Sequence, residues 1–220
     1  EFRRVLFRSG GGVEQEGPKL YCCNPECPGQ FRERLKWFVG RGQMDIDGFG
    51  EKLVDQLVEA GLVSHFADVF TLRRADLLEL ERMGETSADN LLSAAEAAKD
   101  RGLARVLAGL GIRHIGASAA KTLAAAFPDA AALQSASVED LAALEDFGEI
   151  TATSLREYLE SPMAVEAFRR LAEVGVRLER EDPVPAGDDA LLGGKTIVLT
   201  GTLECSSRPK LAAQLEALGA

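Results

Sequence analysis

One pattern occurs four times between Ile46 and Tyr158, and it restricts the fold more than any other feature of the chain. Its anchor glycines are Gly50, Gly84, Gly116 and Gly148, spaced 34, 32 and 32 residues apart. Four residues before each stands an apolar residue: Ile46, Leu80, Ile112, Leu144. Directly before each stands another: Phe49, Met83, Ile115, Phe147. Four residues after each comes a small or branched apolar residue: Val54, Ala88, Ala120, Ala152. Seven after, the residue is always leucine: Leu57, Leu91, Leu123, Leu155. Agreement in five columns over four copies marks an internal repeat.

The offsets +4 and +7 put two apolar side chains on one face of a helix that begins at the glycine. The glycine itself is expected in a tight turn that needs a backbone without Cβ. The apolar residues at −4 and −1 would pin that turn to the helix. Helical stretches at 75–80, 103–110 and 137–143 precede the last three turns. The unit is therefore helix, short hairpin, helix, and it resembles the helix-hairpin-helix motif. That resemblance implies sequence-independent DNA binding, in which backbone N–H groups of the hairpin and helix start meet a phosphate, aided by the helix dipole. It places Gly48, Gly50, Gly84, Gly116 and Gly148 at the DNA.

The charge of the chain is −10, which excludes a generally basic nucleic-acid coat but not local phosphate sites built on backbone dipoles. The hairpins differ in side-chain charge. The first carries Asp45 and Asp47, and the fourth Glu145, Asp146 and Glu149. The second has Arg82 between Glu81 and Glu85. The third has Arg113 and His114, with Lys121 one turn into its helix. The third is thus expected to hold phosphate best and the second next. Residues 31–44 are locally basic, with Arg32, Arg34, Lys36 and Arg41. Phe31, Leu35 and Phe38 share one helical face there, so an amphipathic helix is expected, its basic side available for phosphate and Trp37 used in packing. His65 is read as structural. No apolar run approaches the length of a membrane span.

Residues 1–9 match nothing that follows. Their Leu-Phe-Arg-Ser is one translation of CTCTTCCGATCT, the end of a common sequencing adaptor, so the segment is read as an artefact; without it the chain has 22 basic and 34 acidic residues. Residues 10–30 form a cysteine knuckle. Cys22 and Cys27 flank a turn with Asn24 and Pro25, and two thiolates so placed make half of a tetrahedral zinc site. Four cysteines, three of them clustered at Cys22–Cys27, do not make a disulfide framework, and a reducing cytoplasm follows. Residues 31–178 form the four-repeat domain. Ser137 with Asp140 signals a capping box, and Ser161-Pro162 a helix start. Residues 179–193 are acidic with Pro and Gly, a linker composition. Residues 194–220 open a new domain, with a buried strand at Lys195–Thr200 and an amphipathic helix from Arg208 to Leu218. Gly193-Gly194-Lys195-Thr196 is not a phosphate loop: position 189 is Asp where a glycine is required, and the lysine starts a strand. Both ends of the chain read as cut ends.

Knuckle, basic helix, four hairpins, acidic linker and strand-Gly-helix follow in the order of bacterial NAD-dependent DNA ligases. The chain resembles the C-terminal half of that family over residues 20–220. The matching stretches are Cys22-Cys-Asn-Pro-Glu-Cys-Pro-Gly-Gln, Met44-Asp-Ile-Asp-Gly-Phe-Gly-Glu-Lys, Leu80-Glu-Arg-Met-Gly, Leu110-Gly-Ile-Arg-His-Ile-Gly and Gly194-Lys-Thr-Ile-Val-Leu-Thr-Gly-Thr-Leu. The resemblance implies a mainly α fold: a tandem helix-hairpin-helix domain with a small N-terminal cysteine knuckle and a truncated α/β BRCT-like start. Cys22 and Cys27 match two of four zinc-ligand cysteines in the family. Thr200 and Gly201 match a phosphate pocket found in some BRCT domains, although a plain strand-end turn also accounts for them. NAD and magnesium serve the parent enzyme. The Lys-x-Asp-Gly motif that NAD adenylates does not occur in these 220 residues, so no catalytic residue is assigned and the chain alone is expected to be inactive. The implied partner is nicked double-stranded DNA, bound by a monomer in the bacterial cytoplasm at the nucleoid. A non-catalytic repair or recombination scaffold with tandem hairpins is the alternative.

Overall fold

The computed structural model describes residues 27–180 (the backbone alone at Pro28), the backbone of 13–16 and 19–22, and the helical positions Leu211 and Leu215. The chain divides into two compact units, at Arg180 and Glu181. In the second, Leu211 and Leu215 lie one helical turn apart and half-buried, within the expected helix. The expected strand, the linker and Thr200-Gly201 lie outside the described residues.

The first unit is mainly helical. It begins with an antiparallel hairpin of β1 (Val13–Glu16) and β2 (Lys19–Cys22), in the register Val13 opposite Cys22 and Glu16 opposite Lys19. The cysteine knuckle gave no sign of these strands. Ten α-helices follow: α1 (Pro28–Phe38), α2 (Glu51–Glu59), α3 (Arg74–Leu78), α4 (Glu85–Ala98), α5 (Leu103–Gly109), α6 (Ala117–Ala126), α7 (Ala130–Ser135), α8 (Val138–Ala142), α9 (Glu149–Glu160) and α10 (Pro162–Glu173). Short 3-10 turns span Phe66–Thr71 and Lys99–Arg101.

The repeat columns form the core. Val54, Ala88, Ala120 and Ala152 at +4 are fully buried, and so are Leu57, Leu123 and Leu155 at +7, with Leu91 nearly so. The residues at +4 are small because each of the last three hairpin helices lies against the short helix that precedes its turn. Truncating one of these leucines to alanine costs about 2–5 kcal/mol. Helix α1 presents the expected face: Leu35 and Phe38 are fully buried, and Phe31 packs against the same core. Phe38 stacks tilted on Phe66 at 4.8 Å between ring centroids and meets Phe70 edge-on at 6.3 Å. A Cβ on Gly109 would lie 2.8 Å from Cδ2 of Phe38, so glycine is what lets α1 and α5 approach this closely.

Trp37 packs with only part of its surface: it is 53% exposed, and its indole N–H donates to the Ala108 carbonyl at 2.8 Å. His65 is structural as expected. It stands at the start of the Phe66–Thr71 turn in a reciprocal cap with Asp68, and its Nδ1 lies 3.1 Å from Arg170 of α10.

Candidate nucleic-acid interface

Helices α2, α4, α6 and α9 start at Gly50, Gly84, Gly116 and Gly148, the four repeat glycines. Each glycine carbonyl accepts the first helical bond, from Val54, Ala88, Ala120 and Ala152 at 2.9–3.1 Å. In the last three hairpins the N–H at −1 donates to the carbonyl at −4: Met83 to Leu80, Ile115 to Ile112, Phe147 to Leu144. The two apolar columns before each of these three glycines are thus the two ends of a tight turn. The first hairpin departs from this, with the Gly50 N–H donating to Gly48 at 3.0 Å.

The expectation that the repeat glycines need a conformation closed to other residues is wrong. Their φ angles run from −71° to −95°, ordinary extended backbone. The left-handed residue sits two positions earlier: Gly48 at +88°, Arg82 at +64°, His114 at +66° and Asp146 at +66°. Nor does packing within the protein demand glycine, because a Cβ at any of the four would meet nothing within 4 Å. The missing side chain leaves open space outside the molecule.

The N–H groups at a helix start have no intrahelical partner. In α7, α8 and α10 the side chains of Asp129, Ser137 and Ser161 accept from them. The four hairpin helices carry no such cap, and neither do α1, α3 and α5; only the hairpin helices pair that with a repeat glycine open to the outside. An uncapped helix start, with its dipole pointing outward and no Cβ in the way, is a place where an anion's oxygen can reach backbone donors.

Side-chain charge then separates the hairpins. Arg113, His114 and Lys121 are all exposed around Gly116. Helix α6 has no acidic residue in its first turn, whereas α2, α4 and α9 begin with Glu51, Glu85 and Glu149. Arg82 is 84% exposed side chain, with Glu81 3.6 Å away. In the first hairpin, Arg101 pairs with Asp45 at 3.0 Å, and Asp47 accepts from the Gly48 N–H. That offsets the Asp45 charge and leaves those of Asp47 and Glu51. The fourth hairpin keeps Glu145, Asp146 and Glu149 exposed and adds Ile150, 79% exposed. Arg101 and Ile150 were not singled out from sequence, since neither belongs to a repeated column.

The basic face of α1 is largely spent inside the protein, contrary to expectation. Arg32 pairs with Asp55 and Glu59 of α2, and Lys36 with Glu33 and Asp55. Arg34 points to Met163 at 3.3 Å. Arg41 remains exposed.

The side chain of Cys22, one of the two expected zinc ligands, lies outside the described residues. Cys27 is a buried thiol at the start of α1, and Cys22 ends β2. Among the described residues no three His, Cys, Asp or Glu side chains come together. None of the described helices is long and apolar enough to cross a membrane.

Residues 44–97 match the family model described as a SAM-like helix-hairpin-helix tandem, and residues 105–167 match the helix-hairpin-helix motif model. The first stretch holds Gly50 and Gly84, the second Gly116 and Gly148. The chain is 46% identical over 204 residues to a DNA ligase of Halalkalibacterium halodurans, covering 91% of this chain and 30% of that protein. It is 45% identical over 222 residues to a DNA ligase of Shouchella clausii, covering 100% and 32%. A DNA ligase of Bacillus subtilis is 46% identical over 203 residues. The chain belongs to the bacterial DNA ligase family, in its helix-hairpin-helix region. It spans about a third of the length of the curated ligases it matches. Gly48, Gly50, Arg82, Gly84, Arg113, His114, Gly116, Lys121 and Gly148 all lie in the two stretches that match the helix-hairpin-helix models.

Proposed function

We propose that this chain is the part of an NAD-dependent DNA ligase that clamps nicked duplex DNA, whatever its sequence, for phosphodiester sealing in replication and repair. One observation carries the reading: at each of the four hairpin helices an uncapped helix start coincides with a glycine that faces open space, with no need for glycine in the fold itself. Backbone donors read no bases, so binding is sequence-independent. The contribution to sealing is orientation of the nick, a proximity effect rather than acid–base chemistry. NAD and magnesium are assigned to a part of the ligase outside these 220 residues, since no Lys-x-Asp-Gly occurs in them. The clamp acts as a monomer at the bacterial nucleoid.

Fluorescence anisotropy with nicked duplexes of several unrelated sequences tests this. Binding should be similar for all of them and weaken with salt. With NAD and magnesium added, the chain alone should form neither a covalent adenylate nor sealed product. No salt-dependent binding, or a labelled adenylate on this chain, overturns the reading.

A further inference from the structure

After α10 the chain turns at Gly175, whose φ is +81°, and runs back across the unit as a short extended segment, Arg177–Arg180. Four backbone bonds fix it. The Arg177 N–H donates to the Lys99 carbonyl at 2.8 Å, and the Ala130 N–H to Leu178 at 2.9 Å. The Leu103 N–H donates to Glu179 at 3.1 Å, and the Arg180 N–H to Pro128 at 2.8 Å. Asp129 and Glu179 form an antiparallel bridge.

These anchors share a topological property. Lys99 follows the end of α4, whose start is the second hairpin; at 1.5 Å per residue the two ends are about 21 Å apart. Pro128 follows the end of α6, whose start is the third hairpin, about 15 Å away on the same rise. Leu103 begins α5, whose far end runs into the third hairpin. The segment therefore ties together the ends of α4, α5 and α6 that point away from Gly84 and Gly116. Both of those hairpins carry exposed cationic side chains, Arg82 on the second and Arg113 on the third.

We propose that Arg177–Arg180 is a positioning strap: it sets the separation of the second and third hairpins so that both engage one duplex at once. The strap touches no DNA itself. The inference rests on the DNA-clamp reading. Two phosphate sites on a rigid frame gain effective concentration that two loosely joined sites do not have. By linkage, DNA held at both hairpins must in turn hold the strap closed.

Two variants break the strap while sparing the helices. Ala130→Pro removes one donor at the first position of α7, where proline is compatible with a helix and the preceding Asp129 is already extended. Arg180→Pro removes a second donor on an extended segment. The double variant, in the full 220-residue chain, should keep a cooperative melt. It should bind a duplex of about one helical turn (about 10 base pairs) like the wild type, and lose about tenfold on one of about three turns. A strap that only stabilised the fold would weaken both duplexes alike. Unchanged affinity for the long duplex overturns the proposal, and so does equal loss on both. Amide exchange on the unaltered chain decides the matter should the variant not fold. The Arg177, Leu103 and Arg180 amides should exchange several-fold more slowly with the long duplex than with the short one, and equal rates overturn the proposal. Wild-type chain that binds neither duplex overturns the clamp reading, and the strap's role with it; wild-type binding with no length effect overturns the strap alone.

Discussion

At the scale of single residues, the hairpins hold side chains in a conformation that costs them. Arg82, His114 and Asp146 have φ near +65°, where an L-residue is disfavoured by roughly 1–2 kcal/mol. The first hairpin shows the relaxed solution, Gly48. Strain retained at a site signals that the side chain has a use there. On the clamp reading, Arg82 and His114 have one as hydrogen-bond donors beside a phosphate. Asp146 has none in this structure. Asp146→Gly should therefore stabilise the chain by up to about 1 kcal/mol, the strain relieved less glycine's extra entropy in the unfolded state. DNA affinity should be unchanged or higher. His114→Gly should stabilise by a similar amount and lower DNA affinity. Urea melts with parallel anisotropy titrations check both, and a destabilised Asp146→Gly would show that the aspartate makes a contact worth more than its strain. None of these left-handed positions was legible in the sequence. Four different residues occupy the column, so no pattern marks it, and only the backbone reveals that the turn geometry lives there rather than at the repeat glycines.

At the scale of elements, the third hairpin should dominate phosphate binding. Its helix alone among the four hairpin helices lacks an acidic first turn, and Arg113 and Lys121 stand exposed beside it. Arg113→Ala with Lys121→Ala should weaken duplex binding and flatten the salt slope by roughly 1–2 units. Glu145→Ala with Asp146→Ala should leave binding unchanged or tighten it; if instead that pair abolishes binding and the first has no effect, the order of the hairpins is inverted. The repeat itself was readable because its columns are burial columns, and burial repeats wherever the same two helices pack. What a helix's charges do was not readable. Arg32 meets Asp55 and Glu59 only because α1 lies across α2, so a face that looks basic in sequence is internally neutralised. The short α7, the 3-10 turns and the β1–β2 hairpin lack the length that periodicity needs. Helix α10 adds a pH-dependent element. Arg169 first, and Arg170 beside it, hold the Glu166 carboxyl down to about 2. A carboxylate depressed in the folded state stabilises it above its unfolded value and loses that contribution as pH falls through the folded one. The α10 contacts should thus loosen between about pH 4.5 and pH 2. In Glu166→Gln this acid sensitivity should vanish from the amide-exchange rates of α10; if it persists, another group is responsible.

At the scale of the whole molecule, the proposed DNA-binding surface is carried on a chain of net charge −10. The two facts act over different distances. Backbone donors and a few cations work within contact range. The net charge repels DNA over a Debye length, about 8 Å at 0.15 M salt and about 30 Å at 0.01 M. Counterion release scales with the phosphates neutralised by cations, and backbone N–H groups neutralise none. With Lys52, Arg82, Arg113 and Lys121 as exposed cations of the hairpins and their helices, the slope of log K against log salt should be about −3 to −4 near physiological salt, at about 0.9 per neutralised phosphate. Toward 0.01 M the repulsion reaches the whole duplex, and the line should flatten instead of continuing upward. A predominantly basic DNA-binding domain gives a steep straight line over the same range. Anisotropy titrations between about 0.01 and 0.3 M salt distinguish the two. A straight line steeper than about −5 would mean that many more cations reach phosphate than the hairpins expose, and that the binding surface extends well beyond them. A flattening line that turns straight when acidic residues remote from the third hairpin, such as Glu139 and Glu157, are neutralised would tie the curvature to net charge rather than to any one hairpin.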